Sequence, residues 1–540
     1  KVWTLEPPEP FRQRIYRCDQ TFKTDLIKEL MEYKEVFGLI VMDRREATIG
    51  ILKGPRIDVL TSESSVVPGK FKAGGQCLFP NTLVVLDDGN IVEINKTHNP
   101  NIIVSANLNQ EKSETTPIIA KWENKKELLE VITKYPRLKI KASKDHTFFT
   151  RTEKGVEEKP LAELKEGDYL VMPEIINVNT KDQPISFKPY IQRDSQMKKV
   201  KIPKIVNPDF ARIVGYYLGD GNYEVDRINF SEQRKEVANY YKKLIEKTFN
   251  IKADIKFRKD KNYYQIRAYS RILSQLFKLM FNEQKTLTGK IPELILKSSD
   301  RTIASFIAGF FDAEGYVQKT RVALGINNEL LVRQLQLCLL RLGIISSTNE
   351  YDNRRNPYSN KVRYTLSIED KESLKKFSDL IKLSSKEKQK KMKSAIKYRS
   401  NRNKVRQLIV NGKDVARIIK NSGLSIRQFG CSSFFTNKRQ MSKEVFKNKI
   451  LNKIKNNDLR KRLNLFYDSN LIAVKIAKIE NAGFNDTIDI ETKSHNFIAN
   501  GLVVHNSAQR FHRLIEGLAL AFYKKVAMMC NQEFLPRIKE

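Results

Sequence analysis

Residues 68–89, PGKFKAGGQCLFPNTLVVLDDG, change abruptly from a Gly- and Lys-rich loop to a new run of strands. Before this loop, residues 37–60 alternate apolar and polar positions around turn signals, which predicts a β-meander. After it, the dipeptide Asp88-Gly89 predicts a hairpin turn between two strands. The change of pattern indicates a domain boundary after Gln76.

A second break lies near the other end of the chain. Residues 495–506, HNFIANGLVVHN, predict a strand pair around Asn500-Gly501, and the chain continues at once with helical apolar spacing. Joining Gln76 to Ser507 gives PGKFKAGGQSAQRFHRL, a loop that enters an amphipathic helix. The outer segments are therefore predicted to form one domain that residues 77–506 interrupt.

The length, together with the strand patterns at both breaks and the helical pattern after Ser507, predicts a multidomain protein of mixed α+β class. A length of 540 residues suggests about three to five domains. Five scattered cysteines without a CxxC pair suit a reducing cytoplasm, and no apolar run approaches the roughly 20 residues that span a bilayer, so no membrane partner is expected. The first residue is not Met, which predicts a piece of a longer gene product.

The net charge of +36 is unevenly distributed along the chain. Residues 1–76 carry +2 and residues 507–540 carry +3, so +31 falls on residues 77–506. Scattered surface lysines do not account for an excess of this size on one segment. A nucleic-acid partner for the interrupting segment is the better interpretation.

The joined outer sequence resembles the middle domain of archaeal and eukaryotic class I peptide chain release factors, over essentially all outer residues. The resemblance rests on IYRCDQTF, FGLIVMD and the GGQ loop with its following helix. It implies a split α/β domain in which the glycines let the loop approach RNA and ester closely, and Gln76 helps to position water against peptidyl-tRNA in the ribosome. The motif residues are Gly74, Gly75 and Gln76, with basic flanks Lys70, Lys72 and Arg510 that suit RNA phosphates.

The same resemblance implies what this chain lacks. The stop-codon-reading domain is absent, and so is the C-terminal domain through which the family binds a GTPase class II release factor. The alternative interpretation of the GGQ tripeptide is a plain flexible glycine turn.

The interrupting segment begins with Cys77, ends with His505-Asn506 and precedes Ser507, and these residue types fit one reaction sequence. The Cys77 thiol can attack the carbonyl of Gln76 and convert the amide to a thioester. The Ser507 hydroxyl can then take the acyl group, and Asn506 can cyclise and cut the chain. The outer pieces remain joined by an ester that rearranges to a peptide bond.

Acid–base assistance is available from two further sequence blocks. SKDHTFFT contains Ser143 and His146, and DIETKSHNF contains Asp489 and His495. Imidazole titrates in the useful range, so these histidines are candidate proton donors. The remaining histidines, His98 and His512, match no motif and are expected to be ordinary surface or structural residues.

This pattern resembles the intein family, which implies an all-β, horseshoe-shaped (Hint-type) splicing domain. The resemblance implies that His146 activates the upstream amide and that His495 and His505 assist Asn506. Asp489 corresponds to the family's acidic residue near the active site. One departure is Ser143, where the family usually has Thr; because a hydroxyl is retained, we expect splicing to be retained, with its rate the property that this change could lower.

Two segments inside the basic region match each other. ARIVGYYLGDG ends with Asp220 before its last glycine, and SFIAGFFDAEG has Glu314 at the same place. Small residues four apart share a helix face and allow two helices to pack backbone to backbone. The two carboxylates would then meet and could bind Mg²⁺ for phosphodiester hydrolysis. Two ordinary buried helices with terminal carboxylates are the alternative.

The paired segments resemble the LAGLIDADG motifs of homing endonucleases, which implies a pseudo-twofold αββαββα domain that binds double-stranded DNA in its saddle-shaped sheets. The resemblance implies that Lys290, in GKIPELI, supports catalysis, with Lys361 a weaker candidate for a second lysine. Glu314 in place of Asp is a mild departure that still supplies a metal ligand.

The lysine-rich residues 386–469 have two interpretations. DVARIIKNSGLSIRQF is typical of a helix–turn–helix with Gly423 at the turn, which would add a DNA contact. A helical spacer is the other possibility. The predicted segments are 1–76 (host), 77–175 (splicing), 176–385 (endonuclease), 386–469 (basic helical), 470–506 (splicing) and 507–540 (host).

Two alternatives to the whole interpretation remain open. The release-factor domain could carry a basic insertion that binds nucleic acid without splicing. The intein could also splice while its nuclease has decayed.

Overall fold

The computed structural model describes most of the interrupting segment and part of the outer ones. The described residues are 20–21, 24, 36–42, 46–53, 56–64, 76–108, 110–152, 155–190, 200–281, 289–352, 362–398 and 406–506. The chain divides into two compact units, residues 75–507 and the outer residues 1–74 with 508–540. Gly74, Gly75, Lys361, Ser507 and the helix expected after it lie outside the described residues.

The described chain has strands in its first and last parts, and helices mixed with further strands in its middle. The strands are β1 (Val36–Met42), β2 (Glu46–Lys53), β3 (Arg56–Ser64), β4 (Leu83–Val85), β5 (Ile91–Glu93), β6 (Ile102–Asn107), β7 (Lys112–Thr133), β8 (Lys139–Ser143), β9 (Thr147–Thr152), β10 (Gly155–Pro160), β11 (Tyr169–Pro173), β12 (Gly221–Glu224), β13 (Arg227–Glu232), β14 (Ala253–Arg258), β15 (Tyr263–Tyr269), β16 (Gly315–Val317), β17 (Val322–Ile326), β18 (Ser347–Asp352), β19 (Val362–Ile368), β20 (Gln407–Leu408), β21 (Leu471–Thr492), β22 (Asn496–Ala499) and β23 (Leu502–His505).

Every α-helix of the described residues lies between β11 and β21. They are α1 (Pro208–Asp220), α2 (Lys235–Phe249), α3 (Arg271–Phe281), α4 (Glu293–Leu296), α5 (Asp300–Ala313), α6 (Glu329–Arg341), α7 (Lys371–Leu380), α8 (Lys386–Lys397), α9 (Gly412–Asn421), α10 (Ser432–Phe435), α11 (Lys443–Lys449) and α12 (Asn457–Asp468). Within the described ranges, no helix has the length and apolarity that a bilayer span requires.

In the outer unit, β1, β2 and β3 form an antiparallel meander. The short β1–β2 and β2–β3 connections make sequential pairing the simplest arrangement. The predicted meander over residues 37–60 is confirmed.

In the larger unit, eleven strands from both ends of the interrupting segment and the short β20 form one antiparallel sheet of twelve strands. Its longest pairing joins β7 and β21, each 22 residues long, one from either side of the helical middle. The β22–β23 turn has Asn500 at φ 49° and Gly501 at φ 86°, the positive angles that a tight hairpin needs. The hairpins predicted at Asp88-Gly89 and Asn500-Gly501 are confirmed.

The middle of the chain repeats one element order. α1, β12, β13, α2, β14, β15 and α3 are followed by α5, β16, β17, α6, β18, β19 and α7, an αββαββα order each time. The two four-stranded sheets have the equivalent orders β12-β13-β15-β14 and β16-β17-β19-β18. The side chain of Asn207 caps α1 by accepting from Phe210 N at 2.9 Å, and Pro208 stands at its first turn.

Residues 406–469 form a small helical cluster with its own buried apolar residues. The expected helix–turn–helix begins with α9 and a turn at Gly423, whose φ is 78°. A 3-10 turn, Ile426–Phe429, follows in place of a long second helix. It stops at Gly430, which has the left-handed φ of 61° that ends helical structure.

Candidate active sites

The start of the interrupting segment is held between two strands of the large sheet. Leu78 forms bridges to Ala142 of β8 and to Ile488 of β21. Leu78 N donates to Ile488 O at 2.8 Å, and Ile488 N donates back to Leu78 O at 2.8 Å. The residue before it, Cys77, is fully buried as a result.

The Gln76–Cys77 peptide bond contacts Ser143 directly. The N–H of Cys77 donates to Ser143 Oγ at 3.0 Å, and Ser143 N donates to Cys77 O at 2.9 Å. The hydroxyl at position 143 therefore accepts from the nitrogen of the bond that splicing would cleave. A threonine would offer the same oxygen atom.

His146 is buried beside the same peptide. Burial lowers the pKa of its imidazole to about 4, while Asp145 and the Gln76 backbone act in the opposite direction. The ring is therefore neutral near pH 7, with one N–H donor and one acceptor nitrogen. Its edge-on contact with Phe148, at 5.1 Å between ring centroids, helps to fix its orientation.

Polar groups from β7 and β21 surround the Cys77 thiol. Burial raises the pKa of the thiol; Thr487 hydrogen-bonds it and lowers the pKa, and Asp489 raises it. Asn124 Nδ2 lies 3.7 Å from Cys77 Sγ. Thr487 and Asp489 stand two residues apart on β21, so both side chains share the sheet face that meets the thiol.

At the other end of the segment, Asn506 is fully buried and fixed. Its Nδ2 donates to Thr492 O at 2.9 Å and to Thr492 Oγ1 at 3.2 Å, and its backbone N donates to His495 O at 3.2 Å. His495 has a φ of 62° in the turn between β21 and β22. The turn therefore brings its backbone to the last residue of the segment.

His505 lies on the neighbouring strand, β23, with its ring buried. Its Nε2 is 3.6 Å from Glu158 Oε2, and its ring centroid is 5.7 Å from that of Phe149. Both neighbours belong to the β9–β10 pair, and β9 also pairs with β23 through Phe148 and Val504. The sheet thus joins the strand that follows His146 to the strand that ends the segment.

In the helical middle, α1 and α5 pack backbone to backbone. A Cβ atom at Gly215 would lie 2.0 Å from Phe306 O, and one at Gly309 would lie 2.1 Å from Arg212 O. Only glycine fits at either position. At the end of the helices, a Cβ on Gly219 would lie 3.2 Å from Glu314 Cγ, so Glu314 borders the first helix one residue before Asp220.

A buried polar network supports the ends of these helices. Asp312 is fully buried and accepts from Arg212 Nη2 and from Tyr241 Oη, both at 2.7 Å. Lys388, on α8, donates its ammonium group to Phe311 O and Asp312 O, both at 2.9 Å.

The ammonium group of Lys388 has a lowered pKa. Burial lowers the pKa of its ammonium group to about 8, with Arg234 acting in the same direction, whereas nearby Asp220 is among the groups that raise it. The predicted lysine, Lys290, lies on the loop before α4 with an exposed side chain.

The carboxylates Asp220 and Glu314 are both half-buried at the ends of their helices. Among the described residues, no group of three or more His, Cys, Asp or Glu side chains could hold a metal ion. A pair of carboxylates is the donor set that Mg²⁺ takes when substrate phosphates and water complete its shell.

Comparison with known families agrees with this arrangement. The model of the intein splicing domain matches residues 84–506, more than three quarters of the chain. The chain belongs to the intein splicing family. A second model, eRF1 domain 2, matches residues 36–78 and stops where the intein begins.

Two curated relatives match different parts of the chain. Peptide chain release factor subunit 1 of Thermococcus onnurineus is 51% identical over 76 residues, which is 14% of this chain and 18% of that protein. Glutamine–fructose-6-phosphate aminotransferase (isomerizing) of Methanocaldococcus jannaschii is 27% identical over 339 residues, 61% of this chain and 30% of that protein. The chain thus spans less than a third of either relative. The longer match lies mostly in the intein, because the outer segments are too short to hold it.

Among solved structures, variants of the homing endonuclease I-DmoI are similar to part of the chain. The TM-score is 0.27 with 22% identity, over 33% of this chain and 97% of that one. The two family models place the intein directly after a segment that is similar to domain 2 of release factor subunit 1.

Several residues around these sites were not predicted from the sequence. They have no motif of their own and reach the sites through strand pairing or helix packing: Asn124, Lys126, Thr147, Glu158, Lys388, Thr487 and Thr492.

Proposed function

We propose that residues 77–506 excise themselves and join Gln76 to Ser507 by a peptide bond. The observation that carries the proposal is the seating of the Gln76–Cys77 peptide against Ser143 and His146, in the same sheet that buries Asn506. A buried hydroxyl and a buried neutral imidazole at one peptide bond are the groups that an acyl shift requires.

In the first step, the Cys77 sulfur attacks the Gln76 carbonyl carbon. The thiol proton passes to the neutral His146 ring, which then protonates the departing Cys77 nitrogen. Ser143 Oγ, which accepts from that nitrogen at 3.0 Å, orients its lone pair for protonation. The C–N bond breaks, and the product is a thioester with a free amino group on Cys77.

In the later steps, the Ser507 hydroxyl attacks the thioester and releases the Cys77 thiol. The Asn506 side-chain nitrogen then attacks its own carbonyl, which breaks the Asn506–Ser507 bond and leaves a cyclic imide. His495 and His505 assist this cyclisation, and Asp489 tunes the charge around Cys77. Finally the Ser507 amino group takes the acyl group from its own oxygen and forms the new peptide bond.

The test is the size of the product after expression of the whole chain. We expect a ligated 110-residue host piece and a free 430-residue intein, counts that follow from the two junctions. A soluble, uncleaved chain of 62.7 kDa with Cys77 and Asn506 unmodified would overturn the proposal. The double variant Cys77→Ala, Asn506→Ala serves as the uncleaved standard.

We also propose a second activity, cleavage of double-stranded DNA by residues 176 to about 397. The close approach of Gly215 and Gly309 to the opposite backbones favours it, because this packing aligns the helix ends that carry Asp220 and Glu314. When bound there, Mg²⁺ would neutralise phosphate charge and favour ionisation of water. Asp220 and Glu314 would hold it, and Lys388 and Lys290 would supply positive charge to the DNA.

In this proposal the two αββαββα repeats are related by a pseudo-twofold axis, and their sheets lie along the DNA. The cluster of residues 406–469 adds basic surface. The proposed domains otherwise follow the predicted boundaries, except that α8 joins the nuclease because Lys388 hydrogen-bonds the end of α5. The splicing domain keeps the horseshoe form implied by its family.

The nuclease test uses the excised intein and DNA that carries the uninterrupted GGQ-codon region. We expect a double-strand cut that needs Mg²⁺. Splicing without any cut would support a decayed nuclease.

For the host, we propose peptidyl-tRNA hydrolysis on the ribosome once excision restores GGQSAQRF. The complete protein, with the domains that read stop codons and bind the GTPase partner, would act in the cytoplasm. Because 430 residues interrupt the loop, the unspliced protein should not release peptide. Release activity from a Cys77→Ala, Asn506→Ala variant of the complete protein would contradict this.

A further inference from the structure

The side chain of Gln76 is held by the intein. Gln76 is only 7% exposed, although it belongs to the host and not to the segment that leaves. Its Nε2 donates to Thr147 Oγ1 at 2.8 Å, and Thr147 N donates to Gln76 Oε1 at 3.3 Å. Both ends of the carboxamide are therefore paired with one residue.

This pairing matches the chemistry of an amide and of no other side chain of that length. Glutamine offers a donor and an acceptor on adjacent atoms, and Thr147 offers the complementary acceptor and donor. Glutamate lacks the donor, and methionine lacks both groups. A buried polar group without its partner is costly, so a side chain that does not pair would be disfavoured.

Thr147 is also adjacent to the catalytic histidine. It directly follows His146 and begins β9, where it is 2% exposed. A Gln76 side chain fixed on Thr147 therefore fixes the Gln76 carbonyl against the His146 ring. The Gln76 backbone in turn affects the pKa of that ring, which indicates that the two groups are close.

We infer that Thr147 is a specificity-determining residue for the first step, which selects glutamine as the acyl donor by pairing with its carboxamide. This inference rests on the proposed splicing reaction. It gives the intein a chemical preference for the insertion point it occupies. It also means that the glutamine of the GGQ motif has its functional group occupied until the thioester forms.

The test is a double-mutant cycle in the full chain with Asn506→Ala and Ser507→Ala, which stop the reaction at the thioester. Dithiothreitol then cleaves the thioester, and the rate of cleavage after Gln76 reports the first step. The four chains compared are the parent, Thr147→Val, Gln76→Met and the combination of these two.

We expect Thr147→Val to slow cleavage about tenfold when residue 76 is Gln, because one buried hydrogen bond is lost and its partner is left unpaired. In the Gln76→Met background, the same change should alter the rate by less than about twofold. Thr147→Ser, which keeps the hydroxyl, should cleave within about twofold of the parent. Equal slowing in both backgrounds would overturn the inference and leave Thr147 a purely structural residue.

A separate measurement distinguishes misfolding from lost selection. In a Cys77→Ala chain with Asn506 and Ser507 restored, cleavage after Asn506 does not involve Gln76. We expect Thr147→Val to leave that rate unchanged, and the inference is overturned if this rate falls as much as the first. If the parent forms no thioester at all, the proposed splicing reaction itself fails, which is a different result from any of these.

Discussion

The two proposed active sites of this chain differ most in their access to solvent. Cys77 and Asn506 are fully buried in the sheet, whereas Asp220 and Glu314 are half-buried at the ends of two helices. The buried site is lined by neutral or paired groups. The open site lies beside Lys388, whose pKa is affected by the charge of Asp220.

The difference follows from where each substrate comes from. In splicing, the substrate is the chain itself and folds into place, so no entrance is needed and burial can set the pKa of His146. A nuclease must admit a large, highly charged partner, so its metal-binding carboxylates have to face solvent. If this comparison holds, changes at one site should leave the other intact.

The largest expected effect separates the two sites. Glu314→Gln removes a charge from the carboxylate pair, and we expect DNA cleavage to fall by a factor on the order of a hundred or more. Splicing should be unchanged. Cleavage of plasmid DNA and the yield of ligated host measure the two activities. Glu387→Gln, at an exposed position on α8, is the matched control and should change neither; loss of splicing in Glu314→Gln would refute the independence of the sites.

A smaller effect is expected from the buried ion pair between Arg212 on α1 and Asp312 on α5, and it concerns stability. Asp312→Ala leaves Arg212 and Tyr241 buried without their acceptor, and we expect a loss of about 3–5 kcal/mol in the free energy of unfolding of the excised intein. Urea denaturation measures it. As a control, Asp209→Ala on α1 removes the exposed ion pair with Lys247 on α2 and should lower the free energy of unfolding far less.

The pH dependence of the first splicing step tests whether the splicing site is as buried as the comparison requires. His146 has a pKa of about 4 and burial raises the pKa of Cys77 above its ordinary value, so neither group titrates near pH 6.5. The rate of thioester formation should therefore be independent of pH between about pH 5.5 and 8, because neither pKa lies in that interval. The rate should fall only as the pH approaches 4, where the His146 ring becomes protonated. Cleavage at saturating dithiothreitol, where thioester formation limits the rate, tests it over this range. An inflection near 6.5 would mean that the ring is solvated.

The smallest expected effect tests whether the two regions communicate. Arg333, on α6, donates to Asn500 Oδ1 at 2.5 Å, and the same oxygen accepts from Leu83 N at 2.8 Å. Because Asn500 forms the turn before the strand that carries His505, Arg333→Ala should slow cleavage after Asn506 by about two- to threefold. The exposed Lys375→Ala is the control. A tenfold decrease in the rate of cleavage after Asn506 would contradict the independence of the two sites.

Much of this architecture could be predicted because its signals are local. The junctions at Gln76–Cys77 and after Asn506 follow from abrupt changes of pattern, and the Asn500-Gly501 hairpin follows from turn chemistry. The matched segments that end at Asp220 and Glu314 revealed the duplicated helices by internal repetition. Each signal lies within about a dozen residues of chain.

The unpredicted residues depend on distant pairing. Asn124 and Thr487 meet at the Cys77 thiol because they are cross-strand partners on β7 and β21, which lie more than 300 residues apart in the chain, and no local pattern specifies this pairing. Lys388 is one of many lysines on α8, and only the packing of that helix distinguishes it from its neighbours. The second α-helix expected after Gly423 does not form: a 3-10 turn stands in its place and ends at Gly430, which has a left-handed backbone conformation.

The pairing of Pro173 with Leu471 has a consequence for the history of the chain. These two residues are cross-strand partners on β11 and β21, yet nearly the whole helical middle lies between them. The segment between them therefore leaves and re-enters the sheet beside one cross-strand pair, as a hairpin loop does, and only its short strand β20 returns to pair with β21. A loop whose ends already touch can be lengthened at little entropic cost and shortened without moving either strand. The gene could thus have acquired this segment in one event, and could lose it again, while every strand of the splicing sheet except β20 stayed the same.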